Sequence, residues 1–363
     1  MVNFCDLLKA SGARATLFDE SFQEASVKKK PSSKTLVASL AAAILLLAPA
    51  LAHQGEQVIK LKTDLVTVDL TVTDKDGNFI RNLKREDFAV YQDNQEQKID
   101  FFEASEEAAL TRPLAVVFAI DTSGSISPEE VVKQREATEN FMKLVQPESV
   151  FAIVTFNNEV RKVQDFTSDP RKIRQAFEKI KDVGGSSRIF GSIDQAISML
   201  KRAPRYRNGR RLRRVVIVIS DGISTDRIDD LGADLRREDR PFERAGNGDK
   251  PFMIERANDA EVTVYSITLP SYPSGSGSGQ RVMTLLDVSR IVPMTGGKDF
   301  SADTKDFTPV FKAIAEEIRS SYTLAYYPPE KSRRDGRTHQ IRVESKKSGV
   351  IVRASRTSYQ APK

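Results

Sequence analysis

Residues Leu114–Ser125 read LAVVFAIDTSGS, and no other stretch constrains the fold so tightly. Seven consecutive apolar residues suit a strand buried on both faces. The run ends in Asp121, Ser123 and Ser125, three oxygen-bearing side chains at alternate positions. A carboxylate and two hydroxyls at a strand end, just ahead of a helix, can hold a hard divalent cation. Mg²⁺ takes a few oxygen ligands and keeps several waters.

From Leu114 onward strands alternate with helices. Ser127-Pro128-Glu129-Glu130 is a helix start, with Ser at the cap, Pro at the first position and Glu three after the cap. Val131, Thr138, Phe141, Met142 and Val145 follow at helical spacing. Val150–Phe156 is a second buried strand, and Asn157-Asn158 predicts a hairpin turn into 160–166. Asp169-Pro170 caps a helix carrying Ile173, Phe177 and Ile180, and a further helix carries Ile193, Ala196, Ile197 and Leu200. Val215–Ile219 is an apolar strand ending Ser220-Asp221-Gly222. Val262–Leu269 is the next strand, a short one lies around Lys298–Phe300, and Thr308-Pro309 starts a last helix. This order predicts an α/β fold, a doubly wound and mostly parallel sheet with one antiparallel edge. Such sheets bind ligands at the carboxyl ends of their strands, where Asp121 and Asp221 sit.

Both flanks of this region read as β structure. Val66, Val68, Leu70 and Val72 alternate with Thr67, Asp69, Thr71 and Thr73, the period-2 pattern of a half-buried strand. Turns are expected at Asp76-Gly77 and Asp93-Asn94, around strands at Phe88 and Val90 and from Ile99 and Phe101. After Ser320, strands are expected over 322–327, 340–344 and 350–354. Neither flank has enough strands to stand alone, so the two are expected to pair in one small β module. The expected organisation is a signal segment at 1–52, a β segment at 56–110, an α/β domain at 111–320 and a β segment at 321–363 that packs with 56–110.

Composition narrows the chemistry. The 363 residues include one cysteine, Cys5, and two distant histidines, His53 and His339, which argues against zinc sites; a metal site must be built from oxygens. The net charge of +6 comes from interspersed acids and bases and makes no case for nucleic acid. A basic cluster runs from Lys201 to Arg214 with only Tyr206 interleaved. It reads as a solvated loop, with an anionic-partner patch as the alternative. Two further linkers, 225–250 and 271–279, read as mobile. Lys28, Lys29, Lys30 and Lys34 precede the apolar run Leu36–Ala52, which ends Ala50-Leu51-Ala52, a small-x-small cleavage pattern. The expected location is therefore outside the cytoplasm, periplasmic or secreted, with an uncleaved anchor as the alternative. A start near Val27 would leave a signal peptide of ordinary size.

The D-x-S-x-S pattern of Asp121, Ser123 and Ser125 resembles the metal-ion-dependent adhesion site of von Willebrand factor type A domains, and the resemblance covers Leu114 to roughly Arg319. It implies a Rossmann-like sheet for 111–320. It also implies a hydroxyl from the Gly184-Gly185-Ser186-Ser187 loop, with Ser187 the better match to the family's Thr and Ser186 the competitor, and a distal carboxylate from Asp221. By resemblance, Ser123, Ser125 and Ser187 would touch Mg²⁺ or Mn²⁺ directly, with Asp121 and Asp221 acting through water. The cation's last corner would be filled by an Asp or Glu of a protein or peptide partner. The phrases 72–77, 86–88 and 322–328 resemble segments flanking this domain in exported bacterial proteins of the VWFA-related type. The expected function is metal-dependent protein binding, not catalysis. The alternatives are a metal-independent scaffold with a vestigial site and an aspartic-type hydrolase using Asp121 and Asp221. Asp121-Thr122-Ser123 resembles the Asp-Thr-Gly loop of aspartic proteases, but Ser123 takes the place of its Gly and the sequence holds no second Asp-Thr-Gly or Asp-Ser-Gly. No P-loop, Ser-His-Asp set or Cys nucleophile is visible either.

Overall fold

The computed structural model describes residues 65–104, 112–181, 183–222, 224–225, 252–269, 291–302 and 306–363. The signal segment, Cys5, His53, linker 271–279 and all but Thr225 of linker 225–250 lie outside the described residues. Among the described residues, no helix is long and apolar enough to cross a membrane.

The chain opens with β1 (Val66–Thr73), β2 (Phe88–Gln92), β3 (Gln95–Gln97) and β4 (Phe101–Glu103). It continues with β5 (Leu114–Asp121), α1 (Pro128–Leu144), β6 (Val150–Phe156), β7 (Val160–Thr167), α2 (Pro170–Glu178) and α3 (Ile189–Arg202). A small hairpin of β8 (Tyr206–Arg207) and β9 (Arg210–Arg211) leads into β10 (Arg213–Ser220), followed by α4 (Phe252–Ala260), β11 (Val262–Thr268), β12 (Asp299–Ser301) and α5 (Thr308–Arg319). The last part holds β13 (Ser321–Tyr326), α6 (Glu330–Arg333), β14 (Thr338–Ser345), β15 (Ile351–Ala354) and β16 (Ser358–Gln360).

The central sheet has the order β12-β11-β10-β5-β6-β7. Its strands pair in parallel except β6 with β7, the antiparallel edge read from Asn157-Asn158. Every residue of β5 is buried, because helices cover both faces. Ala115, Val117 and Ala119 face a core shared with α3 and α4, whereas Leu114, Val116, Phe118 and Ile120 face α1, α2 and α5. Phe118 meets Phe141, Phe151 and Phe311 at ring distances of 6.0–6.2 Å. The α/β fold is thus the doubly wound one that the alternating elements require.

Helix α1 begins as its sequence dictates. Ser127 Oγ accepts the Glu130 N–H (3.2 Å), and Glu130 Oε2 accepts the Ser127 N–H (2.7 Å), so two otherwise unpaired donors are satisfied. Ser127→Ala should lower unfolding stability by about 1 kcal/mol in urea titration; an unchanged midpoint would show that the cap contributes nothing.

Strands from both ends of the chain form two further four-stranded sheets, β15-β1-β13-β4 and β16-β14-β2-β3. β1 lies between β13 and β15, antiparallel to both. The two sheets share one core, in which Val68, Leu70, Phe88, Val90, Tyr322 and Val343 are buried. Phe88, Phe102 and Tyr322 meet there with ring centroids 5.5–5.8 Å apart. The turn between β2 and β3 places Asp93 and Asn94 at positive φ (48° and 64°), which suits a two-residue hairpin.

Asp93 also anchors β14. The His339 ring lies between two carboxylates, with Nδ1 2.7 Å from Asp93 Oδ2 and Nε2 3.1 Å from Asp335 Oδ1. Burial lowers the His339 pKa, but hydrogen bonds to Asp93 and Asp335 and their charges outweigh it, so the net shift is upward. In both acids burial opposes ionisation. In Asp93 burial is the largest single influence, but hydrogen bonds from His339 and the Gln340 N–H, with the His339 charge, together outweigh it; in Asp335 the largest effect is the hydrogen bond from the Arg337 N–H, so both carboxyls are held below their ordinary value. A raised His pKa adds stability that is complete below 6.5 and fades as pH climbs through the folded value; the lowered acids add stability above 3.8 that fades on acidification. Thermal midpoints of the wild type should therefore fall from pH 6 to pH 9 more steeply than those of His339→Gln. Parallel curves would remove His339 from the account.

The basic cluster departs from the loop reading. β10 starts at Arg213 rather than Val215, and Arg213 and Arg214 are both buried. Arg213 Nη1 donates to Ser321 Oγ and to the Ile318 carbonyl, and Arg214 donates to the carbonyls of Ala260 and Ala203. Arg211 pairs with Glu261, which Arg356 also reaches. The segment 203–214 is therefore a hairpin and a strand end rather than a mobile linker: Arg211, Arg213 and Arg214 are held by hydrogen bonds and an ion pair to other elements of the fold. Tyr206 remains exposed.

Candidate metal centre

β5 and β10 are parallel neighbours in register, with Ile120 opposite Ile219. Their last residues, Asp121 and Ser220, therefore sit side by side at the carboxyl end of the sheet. Asp121 has no solvent-exposed surface. Its Oδ1 accepts the Ser123 N–H (2.8 Å), and its Oδ2 accepts the hydroxyls of Ser187 (2.8 Å) and Ser220 (2.7 Å). Ser123 and Ser125 Oγ lie 3.2 Å apart. Asp221, next to Ser220, is buried at the same end.

Loop contacts lock this arrangement. The Gly184 N–H donates to the Thr122 carbonyl (2.8 Å), and the Gly124 N–H donates to the Gly185 carbonyl (3.1 Å), so the loops after β5 and before α3 are zipped together. Gly185 has φ +85°, and a Cβ there would lie 2.5 Å from the Asn158 side chain. Only glycine fits on both counts. Asn158 Oδ1 accepts the N–H and the hydroxyl of Ser186 (2.8 and 2.7 Å). Ser186 is thereby turned away, and Ser187 is the serine that faces Asp121. The Thr225 N–H and hydroxyl then donate to the Ser187 carbonyl (2.7 and 2.9 Å), tying in the loop after β10.

Three of the residues singled out in the sequence, Asp121, Ser123 and Ser187, share direct hydrogen bonds, and Ser125 adjoins Ser123. Asp221 follows Ser220 in the chain. Sequence reasoning missed Ser220, Asn158 and Thr225. Ser220 stands in the Ser-Asp-Gly that drew attention to Asp221, and that adjacency was the available signal.

The donor set fits a small hard cation. Burial is the largest influence on Asp121 and pushes its carboxyl above the usual range, against the pull of hydrogen bonds from Ser123, Ser220 and Ser187. Among the described residues no Lys or Arg pairs with it; its partners are neutral donors. A carboxylate removed from water with no counter-charge is costly, and a divalent cation nearby would remove that cost. Two oxygens at adjacent corners of an octahedral Mg²⁺ at ~2.1 Å lie ~3 Å apart, close to the Ser123–Ser125 spacing. Because Ser187 gives its proton to Asp121, its oxygen lone pairs remain available to a cation. Among the described residues no three His, Cys, Asp or Glu side chains cluster as a metal site.

Residues 116–223 match the von Willebrand factor type A domain family. No curated protein matches the chain. Among solved structures, an aerotolerance-related membrane protein from Bacteroides fragilis NCTC 9343, carrying multiple mutations to serine, is similar at 16% identity over 56% of this chain and 98% of that one, with a TM-score of 0.38. The conserved hypothetical protein BatB from Bacteroides thetaiotaomicron is similar at 17% identity over 56% and 97%, with a TM-score of 0.37. The vWF domain of the type V pili tip protein Mfa5 from Porphyromonas gingivalis is similar at 15% identity over 58% and 96%, with a TM-score of 0.39. Most of strand β5, all of β10, the Asp121 loop and the Ser187 loop lie inside the matched residues, and this part of the chain is of the von Willebrand factor type A domain type.

Proposed function

We propose that the chain is an exported, adhesion-type binding module, periplasmic or secreted, whose Mg²⁺ or Mn²⁺ is completed by a carboxylate of a protein or peptide partner. Domains of this family are commonly protein-interaction modules. Ser123, Ser125 and Ser187 would hold the cation, and Asp121 and Asp221 would orient its ligands through water. One observation carries the reading: a fully buried carboxylate, held only by neutral donors, beside a pair of hydroxyls 3.2 Å apart. Neutral ligands leave most of the cation's charge uncompensated, so an incoming Asp or Glu gains strongly there. The role proposed is binding, not catalysis; Asp121 already accepts three hydrogen bonds and is poorly placed to serve as a general base.

Affinity capture from the exported proteome, run in Mg²⁺ and again in EDTA, tests this proposal. A partner should be retained with Mg²⁺ and released by EDTA. The same partner held equally in both would favour a scaffold working without metal and would end the adhesive reading. Mass spectrometry of the secreted protein should find a mature chain starting near His53; retained upstream residues would point to an anchor.

A further inference from the structure

A cavity of about 370 Å³ lies at the other end of the central strands. Leu114, the first residue of β5, lines it, whereas Asp121 is the last. Seven strand steps separate the two sites by about 23 Å. The wall carries four cationic side chains, Arg112, Lys143, Arg213 and Arg319, and no acidic residue. They come from separate parts of the fold: the approach to β5, the end of α1, the start of β10 and the end of α5.

The charges around this cavity do not cancel. The nearest carboxylate, Asp69 on β1, lies 2.6 Å from Arg112 Nη1 and 3.7 Å from Arg213 Nε, so one acid serves two guanidinium groups. The C-terminal ends of α1 and α5 add about half a negative charge each. Glu103 and Glu261 also act on Arg112, so four cations against these leave a modest positive excess in a partly enclosed space. Glu316, which touches Arg319, is shared with Arg81. Arg112 and Arg213 each spend Nη1 on protein partners, Arg112 on Asp69 and Thr323, and Arg213 on Ser321 and Ile318. The Nη2 groups of both arginines have no hydrogen-bond partner among the described residues, and neither is among the buried polar atoms left unsatisfied. Two planar donor groups are thus open to a ligand, and guanidinium forks match oxyanions in shape as well as charge.

We propose that this cavity binds a small oxyanion, a phosphate or carboxylate group, held by Arg112 and Arg213 with Lys143 and Arg319 at the rim. The volume suits a small molecule rather than a polymer. Since its anchors precede β5, open β10 and close α5, and Arg112 and Arg213 both reach Asp69 on β1, the ligand ties the central sheet to the β module. The site is separate from the Asp121 cluster and needs no divalent cation.

The test uses the full chain in EDTA at constant ionic strength, with calorimetric titration of inorganic phosphate and, in a second arm, of citrate. Wild type should bind at least one of the two saturably and show a raised thermal midpoint. Lys143→Glu/Arg319→Glu, at two exposed positions, should bind about tenfold more weakly. Arg112→Lys, which keeps the charge beside Asp69 but removes Nη2, should weaken binding as well and covers the case in which the double variant fails to fold. A response to phosphate alone or to citrate alone assigns the ligand's acid group. No saturable binding of either below about 10 mM, or equal affinity in wild type and every folded variant, overturns the proposal.

Discussion

A chain ending at Ser320 should keep its central sheet and lose the structure of residues 66–103. β1 is hydrogen-bonded to β13 and β15, and both would be gone. β2 would lose β14, leaving a hairpin with β3 that is too small to persist alone. Val66, Val68, Leu70 and Val72, buried in the intact protein, would face water. At about 1.5–3 kcal/mol for each side chain, four such exposures cost about 6–12 kcal/mol, as much as a whole domain's net stability. The central sheet's two cores are filled by α1 to α5 and their own strands, none of which is removed. In hydrogen exchange, amides of residues 66–103 should exchange near the unfolded rate while those of β5, β6 and β10 stay protected. Slow exchange in β1 would show that the N-terminal strands do not depend on the C-terminal ones.

Asp121→Ala should cut the response of the protein to Mg²⁺ by half or more. The carboxylate holds the Ser123 N–H and the hydroxyls of Ser187 and Ser220, so its loss frees the groups proposed to face the cation. Removing a partner that orients metal ligands typically costs ~10–100-fold in affinity. The effect on the metal-free fold is smaller, because orphaned donors cost ~1–3 kcal/mol each while relief from a buried, unpaired carboxylate offsets part of this. Thermal midpoints are the readout. Wild type in Mg²⁺ at 100 times the dissociation constant gains about 2.7 kcal/mol, and a variant binding ~10–100-fold more weakly should gain only about 0.4–1.4 kcal/mol at the same concentration. Equal Mg²⁺ shifts in both proteins would separate Asp121 from any cation.

Much of the fold was legible because burial on both faces leaves a plain record. Leu114–Ile120 and Val215–Ile219 are unbroken apolar runs, Val150–Phe156 is broken only by Thr155, and each lies in a strand with helices above and below. Ser127 and Asp169 announced their helices through side chains that accept backbone N–H groups, which is local chemistry. What escaped is tertiary. Gln95–Gln97 and Ser358–Gln360 are short strands, largely polar, that exist because β2 and β14 offer them an edge. Arg213 and Arg214 look like loop residues until Ser321, Ile318, Ala203 and Ala260 supply the oxygen atoms that let two cations sit inside a sheet. At the site, the sequence offered Asp121, Ser123 and Ser125 from one loop. The preference for Ser187 over Ser186 in facing Asp121 came from Asn158, on another loop, which takes Ser186 for itself. Hydroxyl partners such as Ser220 leave no periodic trace, since a serine at a strand end is equally at home in a turn.

The central claim is that the hydroxyls and acids at the ends of β5 and β10 hold one divalent cation. Crystals grown with Mn²⁺ and measured at its absorption edge test this most directly. The account predicts one strong anomalous peak within bonding distance of the Ser123 and Ser125 hydroxyls and beside Asp121 and Asp221. A map with no peak there, or with Mn²⁺ bound only elsewhere, would contradict it.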